Sequence, residues 1–447
     1  MKSVDAIVIG SGQGGVPLAV DLAKAGKRVV LFERDRFGGS CINYGCTPSK
    51  AFLAAAHSAG RARLMSPLGV SASVTVDFPA VMNRVRKIRD RFEKDVESRL
   101  ANAKVEIVRA SASFSGARTV TAGDISVSAP IVVIDTGTTA LVPNISGLAG
   151  TPYLTNHNIF DLRVQPKRLL VLGAGYIGLE LGQGMARLGS EVHVIDTNSR
   201  VLAREAADAS EALQTSLLRD GMKLHLTRKV TSVQYESYFT LTLDNGETLE
   251  GDGLLVAVGR TPNTAQLNVA ASGIKLDTRG YVAIDDQFRT SCEGVYAIAD
   301  VAGQPQFTHV SWEDYRRLTS ILAGGDRTRN DRVLGYTTFT EPQIARVGLD
   351  DAQARAGGIK ARSVTLGMDR IARAVEWGQD LGFYRLLVDE DDRIIGATLV
   401  GYETGELVHV ILAHMEARST WHLLDASVHI HPTYAEGLPT LARLFTL

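Results

Sequence analysis

Cysteine is scarce in this chain of 447 residues, with only Cys41, Cys46 and Cys292. Three thiols cannot form the disulfide framework of a secreted scaffold. No CxxC pair and no neighbouring histidine accompanies Cys41 and Cys46, so no metal site is expected. Neither sign of charge dominates: 48 Lys and Arg stand against 49 Asp and Glu, a net charge of −1. No global field therefore draws the protein to nucleic acid or to anionic lipid. No run of about 18 uncharged apolar residues exists, so no membrane span is expected. The first residues lead straight into an apolar run without the layout of a signal peptide, and the expected location is cytoplasmic.

What the chain has is glycine, 43 residues of it, above the average usage of roughly 7%. Hydrophobic content of 45% and charged content of 22% are those of an ordinary folded protein. The length suggests about three domains.

The position of the glycines is informative. Ala6-Ile7-Val8-Ile9 reads as a buried parallel strand. Gly10-Ser11-Gly12-Gln13-Gly14-Gly15 follows, then a helical pattern to about Ala25, then a strand ending at Glu33. The theme returns at Leu169-Leu170-Val171-Leu172, Gly173-Ala174-Gly175-Tyr176-Ile177-Gly178, a helix to about Leu188, and a strand leading to Asp196. This is an internal duplication of a βαβ unit. In such a unit the first glycine makes the tight turn and the second lets the backbone approach a pyrophosphate. The third lets helix and strand pack closely. The helix N-terminus offers unpaired N–H groups to phosphate, and the acid ending the second strand takes ribose hydroxyls. Gly10, Gly12, Gly15 and Glu33 thus form one candidate dinucleotide site, and Gly173, Gly175, Gly178 and Asp196 a second. One copy at the N-terminus and one mid-chain suits FAD plus NAD(P)H. Asp196 favours NADH over NADPH, because a carboxylate repels a 2′-phosphate; Gly178 agrees, while the nearby Arg200 pulls the other way.

Phe78, Val81, Val85, Ile88, Phe92, Val96 and Leu100 recur at helical spacing and predict one long amphipathic helix. Short strands are expected from Val105 to Val133. The last ~110 residues alternate strands and helices without a glycine fingerprint, as a separate α+β domain would.

Directly after the first βαβ unit stands Gly38-Gly39-Ser40-Cys41-Ile42-Asn43-Tyr44-Gly45-Cys46-Thr47-Pro48-Ser49-Lys50. Residues five apart in a regular helix have Cα atoms about 8.6 Å from each other, and a disulfide needs roughly 7 Å or less. A bridge therefore requires a distorted turn, which Gly45 eases. A cytoplasmic disulfide is more often catalytic than structural. A helix beginning near Cys46 would stabilise a thiolate there.

With these residues in view, the chain resembles the flavoprotein disulfide reductases, a family that includes dihydrolipoamide dehydrogenase, glutathione reductase and mercuric reductase. The resemblance extends over essentially the whole chain. Its markers are both fingerprints, the C-x4-C segment ending Pro48-Ser49-Lys50, Thr136-Gly137, and Val258-Gly259-Arg260-Thr261-Pro262-Asn263. Val295-Tyr296-Ala297-Ile298-Ala299-Asp300 and His431-Pro432-Thr433-Tyr434-Ala435-Glu436 complete the set.

The resemblance implies an α/β chain with two Rossmann-like FAD and NAD(P) domains plus a C-terminal α+β dimerisation domain. The implied divisions are 1–148 for the first part of the FAD domain, 149–265 for the NAD(H) domain, 266–330 for a central segment completing the FAD domain, and 331–447 for the dimer interface. It implies that Cys41 attacks the substrate and that Cys46 lies against the flavin as thiolate. His431, given by the partner of a homodimer and oriented by Glu436, is the acid–base. Lys50 and Glu180 form an ion pair near the flavin, Tyr176 gates the nicotinamide, and Asp300 contacts FAD. Ser40, Thr136, Gly137 and Gly259 line the cofactor sites. The electron acceptor is a small-molecule disulfide, dithiol or related oxidant. A hypothiocyanous acid reductase or NADH oxidase fits the same scaffold, as does a complex-docking or redox-sensing subunit. Three departures stand out. Ala299 replaces the usual glycine before the FAD-contacting Asp. Asp135 replaces the usual alanine before Thr136-Gly137. The segment Gln306–Tyr315 is nearer to the mercuric-reductase-like group than to dihydrolipoamide dehydrogenase. The C-terminal cysteine pair and the N-terminal metal-binding domain of the mercuric reductases have no counterpart, so efficient mercury reduction is not expected. Cys292 matches no motif and reads as structural.

Overall fold

The computed structural model describes residues 1–447. Its apolar runs become two parallel sheets of the same plan. In the first, strand Ala6–Ile9 is central; Val29–Phe32 and Ile131–Ile134 flank it, and Glu106–Val108 and Val295–Ala297 form the edges. Every pairing is parallel, and Ile7 faces Val30 on one side and Val132 on the other. The central strand is buried on both faces, which is why it reads as an unbroken apolar run. The last strand comes from far along the chain, so the segment after the second nucleotide unit returns to the first sheet.

The second sheet repeats this with Arg168–Leu172 at its centre, between Glu191–Asp196 and Gly253–Val256, with Lys223–Leu226 outside. Helix α1 (Gly15–Lys24) crosses over in the first unit. Two helices separated by a break follow, α2 (Gly39–Asn43) and α3 (Cys46–Arg63), and then the long α4 (Phe78–Asn102). Helix α5 (Tyr176–Leu188) is the crossover of the second unit and α6 (Ala207–Arg219) follows it. Helix α7 (Thr308–Leu322) packs back on α1.

The C-terminal part is built on a five-stranded antiparallel sheet, from Gly335–Thr338 to Arg362–Gly367, covered by the helix Thr404–Glu416. Phe52 and Leu53 of α3 share one buried cluster with Leu179, Leu181 and Met185 of α5 and with Ile344, Phe383 and Val400 of this sheet. That cluster locks α3, the helix that begins at Cys46, against the second nucleotide unit and the C-terminal sheet. No helix is long and apolar enough to cross a membrane.

Candidate active site

The carboxyl end of the first parallel sheet opens on a cavity of about 1890 Å3, which Tyr176, Ile177 and Glu180 of α5 also line. This exceeds the usual 300–1,000 Å3 of a small-molecule site, and such crevices are where α/β sheets bind ligands. Gly10, Gly12, Glu33, Ser40, Cys41, Cys46, Lys50, Thr136, Gly137, Tyr176, Glu180, Gly259 and Asp300 all line it.

The two phosphate turns are built alike. Gly10 has φ +104° and Gly173 φ +106°, where an L side chain is strained. A Cβ on Gly15 would lie 2.4 Å from the carbonyl oxygen of Gly10, and one on Gly178 2.1 Å from that of Gly173. The close packing of strand and helix thus demands the third glycine in each copy. Both acids hold their own turns. Glu33 Oε2 accepts the Ser11 N–H at 2.9 Å and Oε1 the Asp35 N–H at 2.8 Å. Asp196 Oδ2 accepts the Ala174 N–H and Oδ1 the Asn198 N–H, each at 2.7 Å. Arg200 donates to the carbonyls of Ala203 and Glu205, so its guanidinium is committed to its own loop. These cradles fit a dinucleotide: a Cβ at either first or third position would meet backbone.

The cysteines flank the break between α2 and α3, Cys41 within α2 and Cys46 at the start of α3. Helix α2 ends at Asn43 with Tyr44 as its cap, Gly45 takes φ −138° and ψ −115°, and α3 starts at Cys46. The five-residue spacing is bridged by leaving the helix for two residues, which brings the two thiols close enough to shift each other's titration. Tyr44 is anchored outside its loop: its hydroxyl donates to Asp35 at 2.6 Å, its ring stacks on His157, and its carbonyl accepts from Asn156. All three cysteines are free, and Cys292 is buried beside the Ala117 carbonyl.

The neighbouring Cys41 draws the Cys46 thiol down to about 6, with help from the Thr308 hydroxyl at 3.1 Å and the Lys50 charge; Cys46 itself is exposed to the cavity. The same contact and burial push Cys41 up. Charge is thereby sorted within the pair, with thiolate at Cys46 and thiol at Cys41. Lys50 Nζ lies 2.8 Å from Glu180 Oε2 and sits over the Phe339 ring. Glu180 Oε1 accepts the Phe339 N–H, so α3, α5 and the C-terminal part meet in this pair.

Asp300 accepts from the Thr138 hydroxyl at 2.6 Å, and burial raises its carboxyl above the usual range despite Arg260 at 3.8 Å. Thr136 and Asn263 exchange hydrogen bonds across the same edge. Ala299 adopts φ +62°, in the left-handed region that glycine enters freely and alanine does not. Tyr176 donates to Glu205 at 2.5 Å, and Tyr336 donates to the same oxygen at 2.9 Å.

Some expected residues stand apart from this cavity. Gly15, Gly173, Gly175, Gly178 and Asp196 lie behind or beyond it, in the turns themselves. His431 Nδ1 and Glu436 Oε2 are 2.7 Å apart, but His431 is 72% exposed on the C-terminal part and does not reach the cysteines within one chain. Sequence reasoning missed Thr308, Glu205, Tyr336 and the Tyr44 anchors. Thr308 falls in the segment 306–315 already distinctive by sequence; the others carried no signal.

Residues 4–314 match the family model described as pyridine nucleotide-disulphide oxidoreductase, and residues 335–442 match the dimerisation domain of that family. A mercuric reductase from Shigella flexneri is 35% identical over 98% of this chain and 80% of its own length. The probable pyridine nucleotide-disulfide oxidoreductase RclA of Escherichia coli K12 is 30% identical over 99% of this chain and 100% of its own. A dihydrolipoyl dehydrogenase from Thermus scotoductus is 32% identical over 99% of this chain and 97% of its own. Among solved structures, a Cu(II) complex of the HOCl-induced flavoprotein disulfide reductase RclA from Escherichia coli matches with a TM-score of 0.91 at 30% identity, covering 99% of this chain and 100% of that one.

Proposed function

The chain belongs to the pyridine nucleotide-disulphide oxidoreductases, an FAD- and NAD(P)H-dependent enzyme family, and from that membership we propose how its own residues divide the work. The carrying observation is the Cys41–Cys46 pair flanking the helix break, with the Thr308 hydroxyl against Cys46 and the Lys50–Glu180 pair in the same cavity.

Bound FAD supplies two-electron transfer between the nicotinamide and the cysteine pair. The Gly10 turn with Glu33 holds FAD, together with Ser40, Thr136, Gly137, Gly259 and Asp300, and the Gly173 turn with Asp196 holds NADH. The domain divisions at 148, 265 and 330 follow from that assignment. Tyr176 covers the nicotinamide position, and Lys50, set by Glu180, would place a positive charge near the flavin. Two electrons and two protons convert the disulfide to two thiols. His431 takes the Cys41 proton as that sulfur attacks the acceptor disulfide and gives it to the first acceptor thiol as it leaves; Cys46 then attacks Cys41 in the mixed disulfide, which releases the second acceptor thiol and restores the Cys41–Cys46 disulfide. Cys46 is the better thiolate store and Cys41, with its higher pKa, the stronger nucleophile once deprotonated.

His431 acts across a homodimer. Support comes from its exposure and from its neighbours: Val428 is 99% and Ile430 79% exposed, an apolar edge beside a polar His–Glu pair that a second copy would cover. The acceptor is a small disulfide or related oxidant, and turnover belongs in a reducing compartment such as the cytoplasm. The full-length match to a protein described as HOCl-induced supports a small oxidant as acceptor, and the equally long match to a dihydrolipoyl dehydrogenase supports a lipoyl disulfide.

Rates with lipoamide, glutathione disulfide, hypothiocyanous acid, Hg(II) and quinones, each with NADH and NADPH, test the acceptor and the cofactor preference. Cys41→Ser or Cys46→Ser retaining full disulfide reductase turnover would remove the mechanism. NADPH giving the higher kcat/KM would remove the role of Asp196.

A further inference from the structure

The two phosphate turns differ at one place. A Cβ on Gly10 would lie 2.2 Å from the carbonyl oxygen of Asp135, and one on Gly173 2.5 Å from that of Ala257. Asp135 and Ala257 are therefore equivalent positions, each just past the strand that returns beside the central one. Around the Cβ position of Gly175 nothing lies within 4 Å, whereas at Gly12 the Asp135 carboxylate stands 2.6 Å away. Asp135 Oδ2 also accepts the N–H of Gly15, the first residue of α1, at 2.6 Å. The first turn thus carries an internal carboxyl, 5% exposed, where the second leaves open space.

This carboxyl occupies the helix end that holds dinucleotide phosphate. Glu33, Asp300 and Asp314 bring three more carboxylates to bear on it. The cations of the cluster face elsewhere: Arg260 lies 3.8 Å from Asp300, and Arg332 pairs with Asp314 at 2.6 Å. Burial first, and then these like charges, hold Asp135 well above the usual carboxylate range, against the Gly15 N–H, which favours the ionised form. A pyrophosphate would add further negative charge to the same side of the balance.

We propose that Asp135 makes FAD affinity proton-linked: the cofactor binds the protein with the Asp135 carboxyl protonated, and binding takes up one proton from solvent when the free protein has lost it. The neutral carboxyl tolerates the pyrophosphate and the carboxylate repels it. Affinity is therefore full at low pH and falls as pH rises through the titration of Asp135 in the free protein. The inference rests on assigning FAD to the Gly10 turn.

The test compares flavin-loaded wild type with Asp135→Asn, which keeps the shape, and Asp135→Ala, which copies the second turn. Each is equilibrated from pH 6 to pH 10, and the released FAD is collected by ultrafiltration and read by fluorescence. The wild-type dissociation constant is expected to rise about tenfold per pH unit once Asp135 ionises, and both variants to stay flatter over the same range. Reconstitution in buffers of different ionisation heat should show one proton taken up per FAD by wild type at the alkaline end and none by Asp135→Asn. Equal pH profiles in all three proteins, or a wild-type constant that does not change with pH, overturn the role of Asp135 and leave the FAD assignment standing. FAD bound normally when the Gly10 turn is disrupted, as by Gly15→Val, overturns the assignment itself.

Discussion

Thr308 reaches Cys46 from the first turn of α7, 262 residues away in sequence. Its hydroxyl supports the thiolate, and a hydrogen bond to a charged group is worth about 1.5–3 kcal/mol. Thr308→Val should therefore move the Cys46 titration upward by about one pH unit or more. The sign follows from a depressed pKa: wild-type thiolate persists down to about pH 6, and the variant loses it at higher pH. The rate of alkylation against pH reads the shift directly, and an unmoved profile would show that Thr308 carries none of the charge. At Ala299, φ +62° places a methyl-bearing residue in the left-handed region. That strain costs about 1–2 kcal/mol, while glycine loses about 0.5–1 kcal/mol in the unfolded chain. Ala299→Gly should thus stabilise the enzyme slightly, and Ala299→Val should clearly lower its thermal midpoint; the reverse order in a melting experiment contradicts the strain.

The residues that sequence makes visible share a property. Cys41 and Cys46, the glycines of the turns, Glu33 and Asp196 sit at fixed spacings within single local units, where backbone geometry dictates residue type. Thr308, Glu205 and Tyr336 are brought in from distant elements, and their types are common enough to carry no pattern. Asp135 was visible only as a departure, because its consequence depends on the N–H of Gly15, which approaches it in three dimensions alone.

At the scale of elements, the break between α2 and α3 sets the reaction geometry. Gly45 is needed for space as well as conformation: a Cβ there would lie 2.9 Å from the carbonyl oxygen of Ser40 in the preceding helix. Gly45→Ala must displace one helix relative to the other and part the two thiols. A displacement near 1 Å can cost on the order of 10²-fold in rate. Turnover should fall by that order while bound FAD stays stoichiometric, and unchanged turnover would mean that the break is not what sets the thiol spacing. The duplicated βαβ units were legible because helix and strand periods change at the glycines. The long helix expected from Phe78 is also present as α4, since its apolar stripe has no competing reading. The return of Val295–Ala297 to the first sheet was less plain, being a three-residue strand with no period to count.

At the scale of the molecule, His431 stands apart from the cavity that holds the cysteines of its own chain. If the partner supplies the histidine, Cys41→Ser and His431→Ala are each inactive alone but complement when mixed. Random reassociation makes half the dimers mixed, each with one intact site, and about one quarter of wild-type activity should return. No recovery after verified subunit exchange would place the acid–base within one chain or on another residue. Ile430→Asp should also shift the protein toward monomer in sedimentation analysis, with activity falling in step with the loss of dimer.

The Lys50–Glu180 contact has a bearing on how such a protein can be recombined. One carboxylate binds a lysine from the cysteine helix through one oxygen and a backbone amide of the C-terminal part through the other. A gene that exchanged its second nucleotide-binding segment for a foreign one would need, besides a compatible fold, an acid at that one point of the incoming helix. The three bodies are thus modular in architecture but not interchangeable as parts, and viable chimaeras should be those whose crossovers carry the residue at 180 together with its two partners.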